Sequence, residues 1–213
     1  MTELARLTPP EGVLPGHLGM ILSGRVIVGD IGATMVDLAL RQRIRVEENP
    51  DAGWLVSRPT ARDSHSLASH EKALVLALTA APMPVSKLSS SVLEDTRKAL
   101  VHDGVARGWL RRLHHDQRTP AAEELATQVK AFSRQMRQAR RDGGHDALSR
   151  ALLPYALRFG LATDETQPLA RFSRAWAEVF GDLPGWRPVT PAKTFDEITI
   201  TPNPYLNPGR GGM

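Results

Sequence analysis

Apolar residues recur at helical spacing between residues 120 and 141. The intervals are four, three and four residues, through Leu125, Val129, Phe132 and Met136, which places these side chains on one stripe. Thr119 and Pro120 stand at the start, glutamates follow in the first turn, and arginines precede the Gly-Gly pair at 143–144. These are start and stop signals in the order that suits a helix and its dipole. We predict a long central helix over Pro120–Arg141.

The pattern before this helix indicates helix, short strand, helix and then two strands. Residues 14–22 fit a short helix, the run RVIV at 25–28 fits a strand, and residues 31–42 fit a second helix with Asp30 as its N-cap. The segment IRVEE then alternates apolar and polar residues, NPDAG predicts a turn, and WLVSR predicts another short strand. This is the element order of a winged helix.

A similar order follows a polar linker at residues 57–69. A helix begins after Ser69 as its N-cap, and the segment Ala81-Pro82-Met83-Pro84 breaks it. Ser91 is the expected N-cap of a helix over 92–102, Gly104 its expected end, and VARGWLRRL a wing strand. We therefore predict tandem winged-helix-like modules.

The C-terminal third predicts a helical cap. Pro154 should restart a helix that ends at Gly160. A further helix from residue 169 to 180 carries an apolar set of Phe172, Trp176, Val179 and Phe180. Aromatic residues at successive turns favour a packed core over a partner surface. From residue 187 the chain is rich in Pro, Gly and Asn, which predicts a flexible tail.

The expected fold class is mainly α (α+β), with tandem winged-helix-like modules, a long central helix and a C-terminal helical cap. The expected organisation is a first module over residues 1–58, a linker and second module over 59–118, the central helix and cap over 119–187, and a tail over 188–213.

Composition changes this picture little. No apolar run is long enough to span a bilayer, the N-terminus lacks signal-peptide features, and Cys is absent among the 213 residues. We expect a cytoplasmic protein without membrane insertion. The formal net charge of +4 is compatible with phosphate binding, and equally with the arginine content that a GC-rich genome produces.

Candidate chemistry is sparse. His114 and His115 are adjacent, so on a strand they would point to opposite faces, and no further ligand has metal-binding spacing. The run Ser89-Ser90-Ser91 has no nucleophile-elbow context, and neither a dinucleotide-binding nor a phosphate-binding glycine loop is present. We predict no catalytic, cofactor-binding or metal-binding residues, and no cofactor. The candidate contacts to phosphate or a partner are Lys130, Arg134, Arg137, Arg141, Arg111 and Arg112.

Nucleic-acid binding is the obvious use of a winged helix, and the charges speak against sequence-specific readout. The first recognition-helix candidate has no cation before Arg41, and in the second one Arg97 and Lys98 are offset by Glu94 and Asp95. A protein-binding adaptor or accessory factor is therefore the favoured function, with an unknown protein as partner. A nucleic-acid-binding transcriptional regulator is the first alternative, and an unrecognised enzyme, or an accessory subunit of one, is the second.

Two short runs in the C-terminal third, LPYALRFGLA and RAWAEVFGDLPGW, resemble a bacterial family of predicted membrane proteins, domain of unknown function 2207. The segments GDIGATMVDLALRQRIRVEE, HEKALVLAL and TPAAEEL resemble further parts of that family. The resemblance implies an extracytoplasmic β domain and transmembrane helices, which this sequence lacks. We therefore expect a free-standing relative of the family's cytosolic region. The family has no established activity, so the resemblance implies no catalytic residues.

Overall fold

The computed structural model describes residues 7–59, 66–112, 117–143, 150–161 and 167–181, and all structural statements concern these residues. They form a mainly helical α+β fold with a small antiparallel sheet. The helices are α1 Leu18–Ser23, α2 Val28–Leu40, α3 Ser69–Ala77, α4 Ser90–Ala106, α5 Pro120–Gly143, α6 Leu153–Arg158 and α7 Pro168–Phe180. The strands are β1 Arg45–Asn49, β2 Gly53–Ser57 and β3 Met83–Pro84, and short 3₁₀ turns cover Pro15–His17, Val85–Lys87 and Arg150–Leu152.

The β1–β2 hairpin confirms the two strands expected before residue 58, with Arg45 opposite Ser57 and Asn49 opposite Gly53. Its turn forms because the Asn49 side-chain oxygen accepts the amides of Asp51 and Ala52 at 3.0 and 2.8 Å, an arrangement typical of Asn in turns. The third strand, β3, pairs with β2 and comes from a segment expected only to break a helix. Residues from both sides of the 57–69 linker therefore form one sheet.

The expected strand at 25–28 is wrong, and so is the N-cap role of Asp30. Helix α2 begins at Val28, so Asp30 lies inside its first turn. Its carboxylate accepts the amide of Ile27 at 2.8 Å and the amide of Gly19 at 2.9 Å. The side chain thus satisfies helix-start donors from within the helix and ties α2 to α1.

Helix α4 is longer at both ends than expected. Ser89 is its N-cap in place of Ser91, accepting the amide of Val92. Gly104 lies within the helix instead of ending it, and its lack of a side chain allows close packing, since a Cβ there would lie 2.1 Å from Met20 Sδ. The helix ends before Gly108, whose φ is +71°. The expected wing strand is also wrong among the described residues, where only an isolated bridge joins Leu110 to Arg118.

The central helix is confirmed as α5. Thr119 caps it, since its hydroxyl accepts the amide of Ala122 at 3.3 Å. Three of the four predicted stripe residues, Val129, Phe132 and Met136, are buried. The stripe continues through small residues on the same face, Ala122, Ala126, Ser133 and Ala139, which are buried as well.

The helices of the C-terminal third begin and end close to where the sequence placed them. Pro154 stands in the first turn of α6, and Gly160 follows that helix with a φ of +67°. Helix α7 buries Phe172, Trp176 and Phe180, but Val179 is 42% exposed, so its assignment to the apolar set is wrong. The end of the predicted cap at 182–187 and the tail at 188–213 lie outside the described residues.

Two buried apolar clusters organise the molecule. The sheet core joins α2, the strands, α3 and α4 to the aromatic side chains of α7. The helix core joins α1, α5 and α6 with Trp109. No described helix combines the length and the apolar character needed to cross a membrane.

Candidate functional site

The basic residues predicted on α5 lie along one flank of its buried face. Lys130, Arg134 and Arg141 are exposed and Arg137 is half-buried. Arg141 donates to the Gln138 side-chain oxygen at 2.8 Å. The side chains therefore form a solvent-facing basic stripe, which is compatible with a phosphate or partner contact and also with a plain solvated helix face.

Arg111 and Arg112 follow Leu110, the residue that bridges to Arg118. Both are exposed. Only Arg112 lines an open groove of about 1080 Å³ that runs along α4. The structure thus separates the six predicted contact residues. Four stand on α5, Arg112 lines the groove, and Arg111 is exposed beside it without lining the groove.

The groove lies between the turn after α1 and the exposed side of α4. Apolar side chains line it: Val26, Val101, Val105 and Leu110. The charged and polar lining residues are Arg25, Glu94, Arg97, Lys98, His102 and Arg112. The α4 residues recur at helical spacing, because they form one face of that helix. This groove combines an apolar floor with four cations and one carboxylate.

One ion pair spans part of the groove rim. Arg97 holds Glu94 through two hydrogen bonds of 2.6 and 2.8 Å. These bonds lower the pKa of the Glu94 carboxyl, since they stabilise its charged form. The carboxylate is thus engaged within the protein, and Lys98 lies 3.8 Å from Asp95, while Arg25 and Arg112 are exposed beside them. The electrostatic character of the rim is positive.

Two histidines and an aspartate meet in the interior behind α4. His17 Nε2 lies 2.8 Å from Asp103 Oδ2, and the His17 and His70 rings stand edge to face with centroids 5.1 Å apart. Arg107 approaches the same Asp103 oxygen at 3.0 Å. The nearby His17 nitrogen and the Arg107 guanidinium hold the pKa of Asp103 at about 2. Asp103 is therefore ionised at neutral pH.

His70 is fully buried, and neither of its ring nitrogens has a hydrogen-bond partner among the described residues. Burial, reinforced by His17, lowers the pKa of His70 to about 3. The ring is therefore neutral at physiological pH, with a free lone pair on one nitrogen. A buried polar group without a partner is uncommon in folded proteins. This one requires an explanation.

A second polar network fixes α2 against α3. Arg41 bonds to Asp37 at 2.7 Å and also contacts the buried Glu71, whose other oxygen accepts the Ala68 amide at 2.8 Å. Burial raises the pKa of Asp37. A third buried pair, Arg158 with Asp30 at 2.6 Å, joins α6 to α2. The acidic residues of α2 thus take part in contacts that hold neighbouring helices together.

The histidine cluster could not be found from the sequence. His17, His70 and Asp103 are separated by 53 and 33 positions, far from any metal-ligand spacing. The adjacent pair His114-His115 lies outside the described residues. The one available signal is the apolar setting of His17 in LPGHLGMIL, because His70 stands between Ser69 and Glu71.

Comparison with family models, curated proteins and solved structures found no match to this chain. The resemblance to the domain of unknown function 2207 family therefore remains a prediction.

Proposed function

We propose that this chain is a non-catalytic protein-binding adaptor or accessory factor, and that the groove along α4 receives its partner. The observation that carries the proposal is the groove itself, with its apolar floor and positive rim. A segment that fits it presents apolar side chains flanked by Asp or Glu. Burying apolar side chains provides affinity, and charge complementarity provides orientation.

The fold supports a winged-helix origin for this surface. Helices α1 and α2 precede the β1–β2 hairpin with no strand between them, and β3 separates α3 from α4 in the helix–strand–helix order of a winged helix. Under this proposal, the exposed face of α4 corresponds to the face with which a winged helix contacts its ligand. A cytoplasmic location belongs to the same proposal.

The burial of α2 favours a protein partner over DNA. A recognition helix must expose side chains to base edges, whereas nine of the residues of α2 are buried, including Asp30 and Thr34. Helix α4 is exposed, but its cations Arg97 and Lys98 face the carboxylates Glu94 and Asp95 at 2.6 and 3.8 Å. Neither helix offers the uncompensated cations that phosphate contact requires.

A pull-down with charge-matched variants tests the proposal. The tagged chain, a groove variant (Lys98→Glu with Arg112→Glu) and a stripe variant (Lys130→Glu with Arg134→Glu) are each incubated with lysate, with and without nuclease. We expect a protein that the original chain and the stripe variant capture, that the groove variant does not capture, and that nuclease does not release. Capture by the groove variant at undiminished level would contradict the proposal.

The basic stripe on α5 supports one second candidate, a nucleic-acid-binding regulator. Its exposed cations Lys130, Arg134 and Arg141 lie on one helix face. Under this alternative, duplex affinity falls with salt with a logarithmic slope of about 0.9 per phosphate neutralised. Replacing these residues by Gln would flatten that slope. Absence of duplex binding at low ionic strength removes this candidate.

A further inference from the structure

The His17–His70–Asp103 cluster is a polar feature of the interior that partner binding does not use. One ligand atom from each residue lies within 4.8 Å of the others. Both histidines are fully buried. His17 Nε2 and both nitrogens of His70 lack a hydrogen bond of acceptable geometry, although Asp103 Oδ2 stands only 2.8 Å from the former. Ring nitrogens of two histidines therefore lie close to one carboxylate, and those of His70 have no hydrogen-bond partner among the described residues.

We propose that this cluster binds one divalent transition-metal ion of the Zn²⁺ type, through His17, His70 and Asp103. Two neutral imidazoles and a carboxylate are a ligand set that such ions accept, with a fourth position left for water. Hard cations such as Mg²⁺ and Ca²⁺ prefer oxygen ligands. The ligand set therefore favours a nitrogen-binding metal.

The geometry fits an ion after small side-chain movements. Zn²⁺ binds these donors at about 2.0–2.2 Å, so two donors on one ion lie within about 4.4 Å of each other. Neither ring nitrogen of the buried His70 has a hydrogen-bond partner among the described residues, so no protein contact occupies the lone pair that the ring offers to an ion. The three residues come from the 3₁₀ turn at Pro15–His17, from α3 and from α4. An ion would therefore cross-link three separate parts of the fold.

Two contacts oppose the ion and set the cost of binding. The Leu14 amide donates to His17 Nδ1 at 3.1 Å, and metal at Nε2 would move the ring proton to Nδ1 and break that bond. Arg107 also pairs with Asp103 and would share it with the ion. One backbone hydrogen bond is thus exchanged for three coordinate bonds. Release of the Leu14 amide is a signature that metal at other sites would not produce.

The test uses the full chain, stripped of metal with a chelator and then equilibrated with Co²⁺ or Zn²⁺. We expect one equivalent of Co²⁺ to give visible ligand-field absorption, Zn²⁺ to displace it, and Zn²⁺ to raise the melting temperature. In amide NMR spectra the Leu14 signal should shift on saturation. Absence of stoichiometric binding in the unmodified chain overturns the proposal without reference to any variant.

Matched variants locate the ion. His70→Gln should abolish stoichiometric binding, whereas His114→Gln with His115→Gln, and His102→Gln on the exposed face of α4, should retain it. Circular dichroism establishes that each variant is folded, and Asp103→Asn replaces His70→Gln if the latter is not. Binding that survives in the folded cluster variant, or that is lost with His114 and His115, assigns the metal elsewhere and overturns the proposal.

Discussion

The sheet core and the helix core are built in different ways. The helix core takes one continuous face of α5 and sets it against α1, α6 and Trp109. The sheet core gathers short segments from Val28 to Phe180, and its aromatic members Trp54, Phe172, Trp176 and Phe180 come from β2 and α7. Both cores join segments far apart in sequence, Val28 to Phe180 in the sheet core and Val13 to Leu161 in the helix core, but α5 alone supplies five of the buried residues of the helix core.

The helices of the C-terminal third contribute to both cores. Trp176 packs against α2 so closely that a Cβ on Gly32 would lie 2.7 Å from its ring, and its Nε1 donates to the Val28 carbonyl at 3.1 Å. Phe172 meets Trp54 of β2 edge to face at 5.5 Å. Helix α7 thus completes a core formed by the N-terminal segments, while Tyr155 of α6 and Phe159, the residue after that helix, face Phe132 in the other core.

The largest effect is expected from removing the central aromatic side chain of the sheet core. Trp176→Ala should lower the free energy of unfolding by about 3–5 kcal/mol, because it leaves a cavity and removes the hydrogen bond from the indole to the Val28 carbonyl. The matched control is Val179→Ala on the exposed side of α7, expected to change it by less than about 0.5 kcal/mol. Denaturant unfolding checks both. Equal effects of the two substitutions would show that α7 does not close the sheet core.

The sequence predicted the helix core better because its signal is local. The stripe through Val129, Phe132 and Met136 is visible within one helix. The sheet core depends on contacts between segments that are distant in sequence, and no local pattern of residues predicts such contacts. Strand β3 has two residues and one is Pro84, which cannot donate to a ladder and suits an edge strand. Its role as a sheet strand is recognised only from its pairing with β2 in the folded structure.

The same distinction explains the outcome for the candidate sites. The basic stripe of α5 follows from periodicity, and the structure places its members on one solvent-facing side. The groove joins residues 24–26 to residues 94–112, and the histidine cluster joins three segments. Asp30 was misassigned because its partners, the Gly19 amide and Arg158, lie far away in sequence.

A second substitution measures the corresponding loss in the helix core. Phe132→Ala should lower the free energy of unfolding by about 3 kcal/mol. In variants that retain a single tryptophan, Trp109 reports on the helix core by fluorescence and Trp54 on the sheet core. If the cores form one cooperative unit, all probes show a single transition at a lower denaturant concentration. Two separated transitions would show that the cores unfold independently.

A smaller effect is expected where α2 meets α7. Gly32→Ala should cost about 1–3 kcal/mol, because the added methyl group overlaps Trp176 and that ring must move. Gly29→Ala is the matched control on the same helix, since its Cβ would meet no atom closer than 3.8 Å. If Gly32→Ala is no more destabilising than Gly29→Ala, the close packing of α7 on α2 is contradicted.

The smallest stability effects are expected at the two basic surfaces. Lys98→Glu with Arg112→Glu, and Lys130→Glu with Arg134→Glu, should each change the free energy of unfolding by less than about 1 kcal/mol, because the side chains are solvent-exposed. Thermal melting checks this. A large loss of stability in either variant would show that the surface is structural, and binding differences could not then be assigned to it.

The most direct test of partner docking at the groove is site-specific photo-crosslinking in the cells from which the chain comes. A photoreactive amino acid replaces His102, which is exposed in the groove, or Arg134, which is exposed on α5. If the partner docks at the groove, we expect a discrete protein adduct from position 102 and none from position 134. An adduct from position 134 alone, an adduct to nucleic acid, or no adduct from position 102 would contradict it.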